Sequence, residues 1–139
     1  MKTQKSGLTL VLTLGLWLGL VFGCRTSTQR TREAVSASTI SAEELYRAYK
    51  SNEADADKLY QGKILIVTGK VGATDAMPRN PSVTLIDARQ KEVVECFGFG
   101  PDQKDAVSKL EVGQKVSVKG KCMGKVVLPI PVLEDCVLQ

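Results

Sequence analysis

Residues 7–23, GLTLVLTLGLWLGLVFG, carry no charge, follow Lys2 and Lys5, and stop at Cys24. A short basic start ahead of an apolar run is the pattern of a secretory signal peptide. That run divides the 139-residue chain into three expected parts: a signal segment at 1–23, a tether at 24–39 and a folded domain at 40–139. The tether, RTSTQRTREAVSAST from position 25, lacks aromatics and apolar periodicity, so it buries no core and is expected to be flexible. The remainder, roughly 100 residues, suffices for one domain around one core.

The junction Val21-Phe22-Gly23-Cys24 resembles the lipobox of bacterial lipoproteins. Val21 and small Gly23 fit it, and Phe22 departs from it by its bulk. The resemblance implies that Cys24 becomes the first mature residue, acylated on sulfur and carrying fatty chains such as palmitate. More than one chain makes such an anchor stable, where a single one holds only marginally. An uncleaved membrane helix is the alternative, since the run sits at the short end of the roughly 17–25 residues a span needs. Arg25, Arg30 and Arg32 follow directly and would resist export as helix flanks. Arg25 stands where lipoproteins kept in the inner membrane commonly carry Asp. The expected location is therefore the cell envelope, favouring the outer membrane facing the periplasm.

The chain has no histidine. That removes Ser-His-Asp and Cys-His catalysis and every His-containing zinc site. No clustered carboxylates or activated lysine replace it, so the expectation is a protein that is not an enzyme, with no metal and no cofactor. The formal charge of +4 falls to about +2 once Lys2 and Lys5 are discounted. That is too little to imply a polyanion partner on charge alone.

Ser41-Ala42-Glu43-Glu44 is a capping-box pattern, with Leu45, Ala48 and Tyr49 recurring on one helix face. One helix or two short ones are expected over 41–60, ended by Gly62. Residues 63–71 (KILIVTGKV) read as a buried strand, in which Gly69 suggests a bulge or bend. A loop at 74–82, a short strand at 83–87, a turn at 88–90 and a strand at 91–99 follow. A short helix is expected at 101–110. Residues 114–122 alternate valine with lysine and read as a half-exposed strand, and a last strand is expected at about 133–138.

Strand, strand, strand, helix, strand, strand is the order of the OB-fold. The segments SAEEL at 41–45, NEADADKLYQGK at 52–63, VTGKV at 67–71, VECFGF at 94–99, GQKVSVKGKC at 113–122 and LEDC at 133–136 resemble the tRNA_anti-like family, OB-fold proteins found as lipoproteins. The likeness runs over 41–137, nearly all of the folded part. The implied fold is mainly β with an N-terminal helix, a five-stranded OB-fold barrel with a short helix between strands 3 and 4. The family's name reports likeness to anticodon-binding domains and implies a fold better than an activity.

With Cys24 assigned to lipid, Cys96, Cys122 and Cys136 remain, an odd number in a compartment that permits disulfides. Cys122 and Cys136 lie symmetrically about Pro129, so a hairpin centred there would place them opposite each other. Cys96 could pair with Cys136 instead, and three buried thiols are the bland alternative.

OB-folds bind ligands on strands two and three between two flanking loops. Phe97 and Phe99, two apart, are candidates for that face, although core packing is the favoured explanation and Glu95 beside them would repel phosphate. Lys115, Lys119 and Lys121 read as a solvated strand face without an aromatic partner. The run VVLPIPVL at 126–133 is interrupted by Pro129 and Pro131. If exposed, it offers Leu128 and Ile130 to a partner. The resulting expectation is a lipid-anchored binding module for a protein, peptide or glycan in the envelope. An exported single-stranded nucleic-acid binder and a purely structural domain are the alternatives.

Overall fold

The computed structural model describes residues 37–139. The signal segment, the lipidation site at Cys24 and most of the tether lie outside the described residues. The described part is a six-stranded sheet with three helices: β1 (Ser38–Ser41), α1 (Ala42–Ser51), α2 (Glu53–Tyr60), β2 (Ile64–Asp75), β3 (Ser82–Ile86), β4 (Glu92–Cys96), a 3-10 turn (Pro101–Gln103), α3 (Lys104–Ser108), β5 (Lys115–Gly124) and β6 (Val132–Leu138). The sheet runs β1-β2-β3-β4-β6-β5, and β2 pairs back onto β5. Five strands thereby close into a ring, with β1 attached outside it.

Three points differ from the sequence expectation. There are six strands rather than five, because Ser38 and Thr39, expected in the tether, already pair in parallel with Leu65 and Ile66 of β2. So short and polar a strand has no signature of its own; its stability comes from the partner edge. The short helix consequently lies between β4 and β5 of six. Finally, β2 extends to Asp75, so the loop before β3 is only 76–81.

Local chemistry explains the helices. The Glu44 backbone N–H donates to Ser41 Oγ at 3.2 Å, and the Ser41 N–H donates back to Glu44 Oε2 at 3.1 Å, a complete capping box. Asn52 ends α1 and caps α2, accepting from the Asp55 N–H at 3.3 Å. Gly62, at φ +78°, turns the chain into β2 in a conformation that disfavours a Cβ.

Inside the ring lie Leu65, Val67 and Val71 of β2, Val83 and Leu85 of β3, Val94 and Cys96 of β4, Val118 and Cys122 of β5, and Leu133 and Cys136 of β6. Leu45 and Tyr49 of α1 and Val107 of α3 complete the core. Tyr49 is buried with its hydroxyl 3.7 Å from Cys122 Sγ, and burial and that contact raise its pKa. Asp57 Oδ1 fills the space a Cβ on Gly124 would need, so the missing side chain lets α2 approach the end of β5.

The expected bend at Gly69 falls elsewhere. Gly69 stays in register with Val116, and its missing Cβ admits Ala42 Cβ at 3.0 Å and Leu85 Cβ at 3.3 Å. The irregularity lies between Val71 and Ala73, where a Cβ on Gly72 would overlap Ile86 Cγ2. Gly72→Ala is therefore expected to cost about 2 kcal/mol through overpacking, read as a lower midpoint in guanidinium unfolding. Ile86→Ala combined with it should recover part of the overlap penalty.

Candidate ligand cleft

The loop 76–81 continues β2, and the loop 125–131 joins β5 to β6. Between them lies a cleft of about 510 Å³, lined by Asn80, Phe97, Gly98, Met123, Val126, Val127, Leu128, Val132, Glu134 and Asp135. Val126, Val127 and Leu128 are 62%, 88% and 38% exposed, so the apolar wall of the cleft faces solvent. Among the described residues, no lysine or arginine lines it, and its charged groups are two carboxylates.

A single inserted residue in β6 builds the floor. Lys121 pairs with Glu134 and Lys119 with Val137, so Asp135 and Cys136 together face Gly120, a β-bulge. Asp135 adopts φ +53°, the left-handed region where glycine is favoured and Asp is among the better-tolerated alternatives. Glu134 and Asp135 consequently both point outward while Leu133 and Cys136 point inward. Across from Asp135, Gly98 is also left-handed, at φ +71°; a Cβ there would sit 3.1 Å from the Asp135 nitrogen. The Gly98 N–H donates to Asn80 Oδ1 at 3.3 Å, tying the 76–81 loop to the floor.

The expected partner-binding residues separate. Phe97 and Leu128 line the cleft. Phe99 and Ile130 do not: they are 4% and 7% exposed, and Phe99 belongs to the core. The two phenylalanines fail to share a face because β4 ends at Cys96 and Gly98 turns the chain between them. Asn80, Met123, Glu134 and Asp135 went unrecognised in the sequence. The adjacent acids in LEDC are a legible sign, since a regular strand would send one of them inward.

Glu95 is no surface charge either. It is 8% exposed and accepts from Thr84 Oγ1 at 2.7 Å. Burial raises its pKa above the ordinary 4.5, against the lowering effect of hydrogen bonds from Thr84 and Ser82.

The cysteine geometry also departs from the hairpin expectation. Cys122 pairs with Leu133, not Cys136, because the β5–β6 hairpin is centred between Val127 and Leu128 rather than on Pro129, and its sulfur faces Tyr49. Cys136 lies against Gly120 and Cys96. All three are buried free thiols in this structure.

A closed ring of strands with a loop-flanked cleft defines an OB-like domain. The chain belongs to the tRNA_anti-like family, whose model matches residues 1–137. Among solved structures it is similar to a candidate nucleic acid-binding lipoprotein of Klebsiella pneumoniae subsp. pneumoniae. The TM-score is 0.58 at 22% identity, covering 75% of this chain and 92% of that one. It is also similar to a candidate aspartyl-tRNA synthetase of Leishmania major Friedlin, with TM-score 0.51 and 16% identity over 75% of this chain and only 20% of the other. Both likenesses concern the fold. No curated protein matches the chain.

Two measurements check this geometry. Asp135→Val, placing a β-branched residue at positive φ, should cost about 2 kcal/mol, whereas Asp135→Gly should stay within about 1 kcal/mol of the parent. For Glu95, the protonated carboxyl favoured by burial stabilises the fold fully below pH 4.5, and that contribution is lost as pH rises through the raised value. Glu95→Gln should therefore melt higher than the parent at pH 7, with the difference shrinking towards pH 4.

Proposed function

We propose that this protein is a non-catalytic, lipid-anchored binding module of the cell envelope. Its cleft takes an apolar segment of a protein or peptide partner, or the apolar face of a glycan. The observation that carries the reading is the cleft's composition. Val126, Val127, Leu128, Met123 and Phe97 offer an exposed apolar surface, which in a small domain marks an interaction site. Glu134 and Asp135 are its only charges among the described residues, and they oppose a phosphate backbone, whose binding depends on cationic contacts. Anchoring through Cys24 is supported by the lipobox-like junction and by the description of the Klebsiella protein as a lipoprotein.

A second reading, a single-stranded nucleic-acid binder, draws on the remainder of that description and on Phe97, an aromatic on which a base could stack. The two separate cleanly. A photo-crosslinking residue placed at Val127 in the full chain, in cells, is expected to give a discrete protein or glycan adduct. Leu128→Asp should reduce it at least about tenfold, as the loss of an apolar anchor in a partner interface does. Short single strands should show no gel retardation at low salt. Retardation that weakens steeply with added salt, together with no adduct, would replace the first reading with the second.

A further inference from the structure

The lysines of β5 meet a fourth across the ladder that closes the ring. Lys70 of β2 stands directly opposite Lys115, Thr68 opposite Ser117, Ile66 opposite Lys119 and Ile64 opposite Lys121. The residues between them, Leu65, Val67 and Val118, are buried, so this set forms the outward face. β6 continues the face on one side, with Val137 opposite Lys119 and Glu134 opposite Lys121. β1 continues it on the other, with Thr39 opposite Ile66. All four lysines are exposed, Ile64 and Ile66 are half-buried, and Val137 is 42% exposed. Among the described residues, the ion pairs are formed by Arg47, Lys58 and Lys125, and none involves this row. Like charges directly opposite each other destabilise a sheet, so the Lys70–Lys115 pair costs stability that no ion pair offsets among the described residues.

We propose that this face docks on an anionic phospholipid surface, its lysines meeting the headgroups and Ile64, Ile66 and Val137 the apolar boundary beneath them. The claim rests on the lipid-anchored reading for nearness to a bilayer; the choice of face rests on the strand register. Fully extended, residues 25–37 measure about 45 Å, so a lipid on Cys24 keeps the domain within reach of a membrane. That stretch adds Arg25, Arg30 and Arg32 against Glu33 alone, the same sign as the face. Each lysine close to an anionic leaflet strengthens binding by roughly fivefold. Apolar side chains set among basic ones are also the composition of segments that lie at a membrane interface. Single-stranded nucleic acid is the other polyanion, and proteins hold it by stacking as well as by charge. Among the described residues, Tyr46, Tyr49, Tyr60, Phe97 and Phe99 all lie off β1, β2, β5 and β6, so the face has no stacking platform. Of the residues lining the cleft, Glu134 alone belongs to this face, so the lysines can be altered without touching the cleft's apolar wall.

The test reads lysine reactivity in the full chain. Protein made in an export-competent bacterium is added from detergent to preformed vesicles of phosphatidylcholine, alone or with about one-third phosphatidylglycerol. A membrane-impermeant acylating reagent is applied, and peptide mass spectrometry gives the modification of each lysine relative to Lys50 and Lys58 on the helices. With phosphatidylglycerol, Lys70, Lys115, Lys119 and Lys121 should be at least about threefold less modified than with phosphatidylcholine alone. Salt at about 0.5 M should abolish that difference. In Lys115→Gln/Lys119→Gln, Lys70 and Lys121 should regain reactivity, with a Tm no lower than the parent's because a like-charge pair is gone. Equal modification in the two kinds of vesicle, while the protein floats with both, overturns the docking face and leaves the anchored reading standing. Protein that fails to float with phosphatidylcholine overturns the anchor instead, and protection of the four lysines by the anionic vesicles then still upholds the face. Protection of the same lysines by short single-stranded DNA, as strong as that by the vesicles, overturns the proposal in favour of nucleic acid.

Discussion

Everything in this domain hangs on the pairing of β2 with β5. Seven residue pairs, from Ile64 opposite Lys121 to Lys70 opposite Lys115, turn an open sheet into a ring. β2 is long enough to serve β5, β1 and β3, and it changes partner along its length, leaving β5 after Lys70 and taking β3 from that residue onward. This requires sharp curvature, and the chain supplies it by omitting side chains where neighbours press closest. Gly69 clears space under α1 and Leu85; Gly72 clears it for Ile86. Closure removes most of the exposed strand edge that a small sheet would otherwise present to other chains. It also leaves an interior that valine, leucine and cysteine fill, with α1 packed against it.

A second irregularity does as much as the first. The extra residue at Asp135 changes which β6 side chains face the core and which face the cleft. Upstream of it Leu133 is inside; downstream of it Cys136 is inside, and the two carboxylates stand outside together. Cleft chemistry and core sulfur chemistry are thus set by the same backbone distortion. Left-handed non-glycine residues hold only where their surroundings over-determine them. Here the surroundings are Gly98, packed against the Asp135 nitrogen, and the hydrogen bond from Cys136 to Phe97.

What the sequence discloses and what it hides divide along physical lines. The Ser41–Glu44 capping box, the Asn52 break, the Asp87–Lys91 turn and the valine–lysine alternation of β5 are all local, written within a few residues of where they act. β1 depends on a partner strand some 25 residues away, so STIS alone carries no signal. Gly69 and Gly72 look alike in sequence, and only packing with Ala42, Leu85 and Ile86 decides which is the close approach and which the bulge. For the cleft, Phe97 and Leu128 could be singled out by type, as an aromatic at a strand end and an apolar residue in a proline-rich run. Phe99 and Ile130 share those features yet fold inward, because Gly98 and the return of the 125–131 loop set their direction. Asn80, Glu134 and Asp135 belong to the cleft only once distant segments have met.

β1 has a mechanical consequence as well. It is the first element among the described residues, and it joins the ring through its ladder with β2, four pairs from Ser38 opposite Leu65 to Ser41 opposite Thr68, with Ile40 packed against the core. Any pull transmitted along the chain from ahead of Ser38 reaches the ladder before it reaches α1 or the core. Load along the strand axis is shared by all four pairs at once, while load across it opens them singly, beginning at Ser38. A chain drawn from that side would part these four pairs before it loaded the ladders that close the five-strand ring.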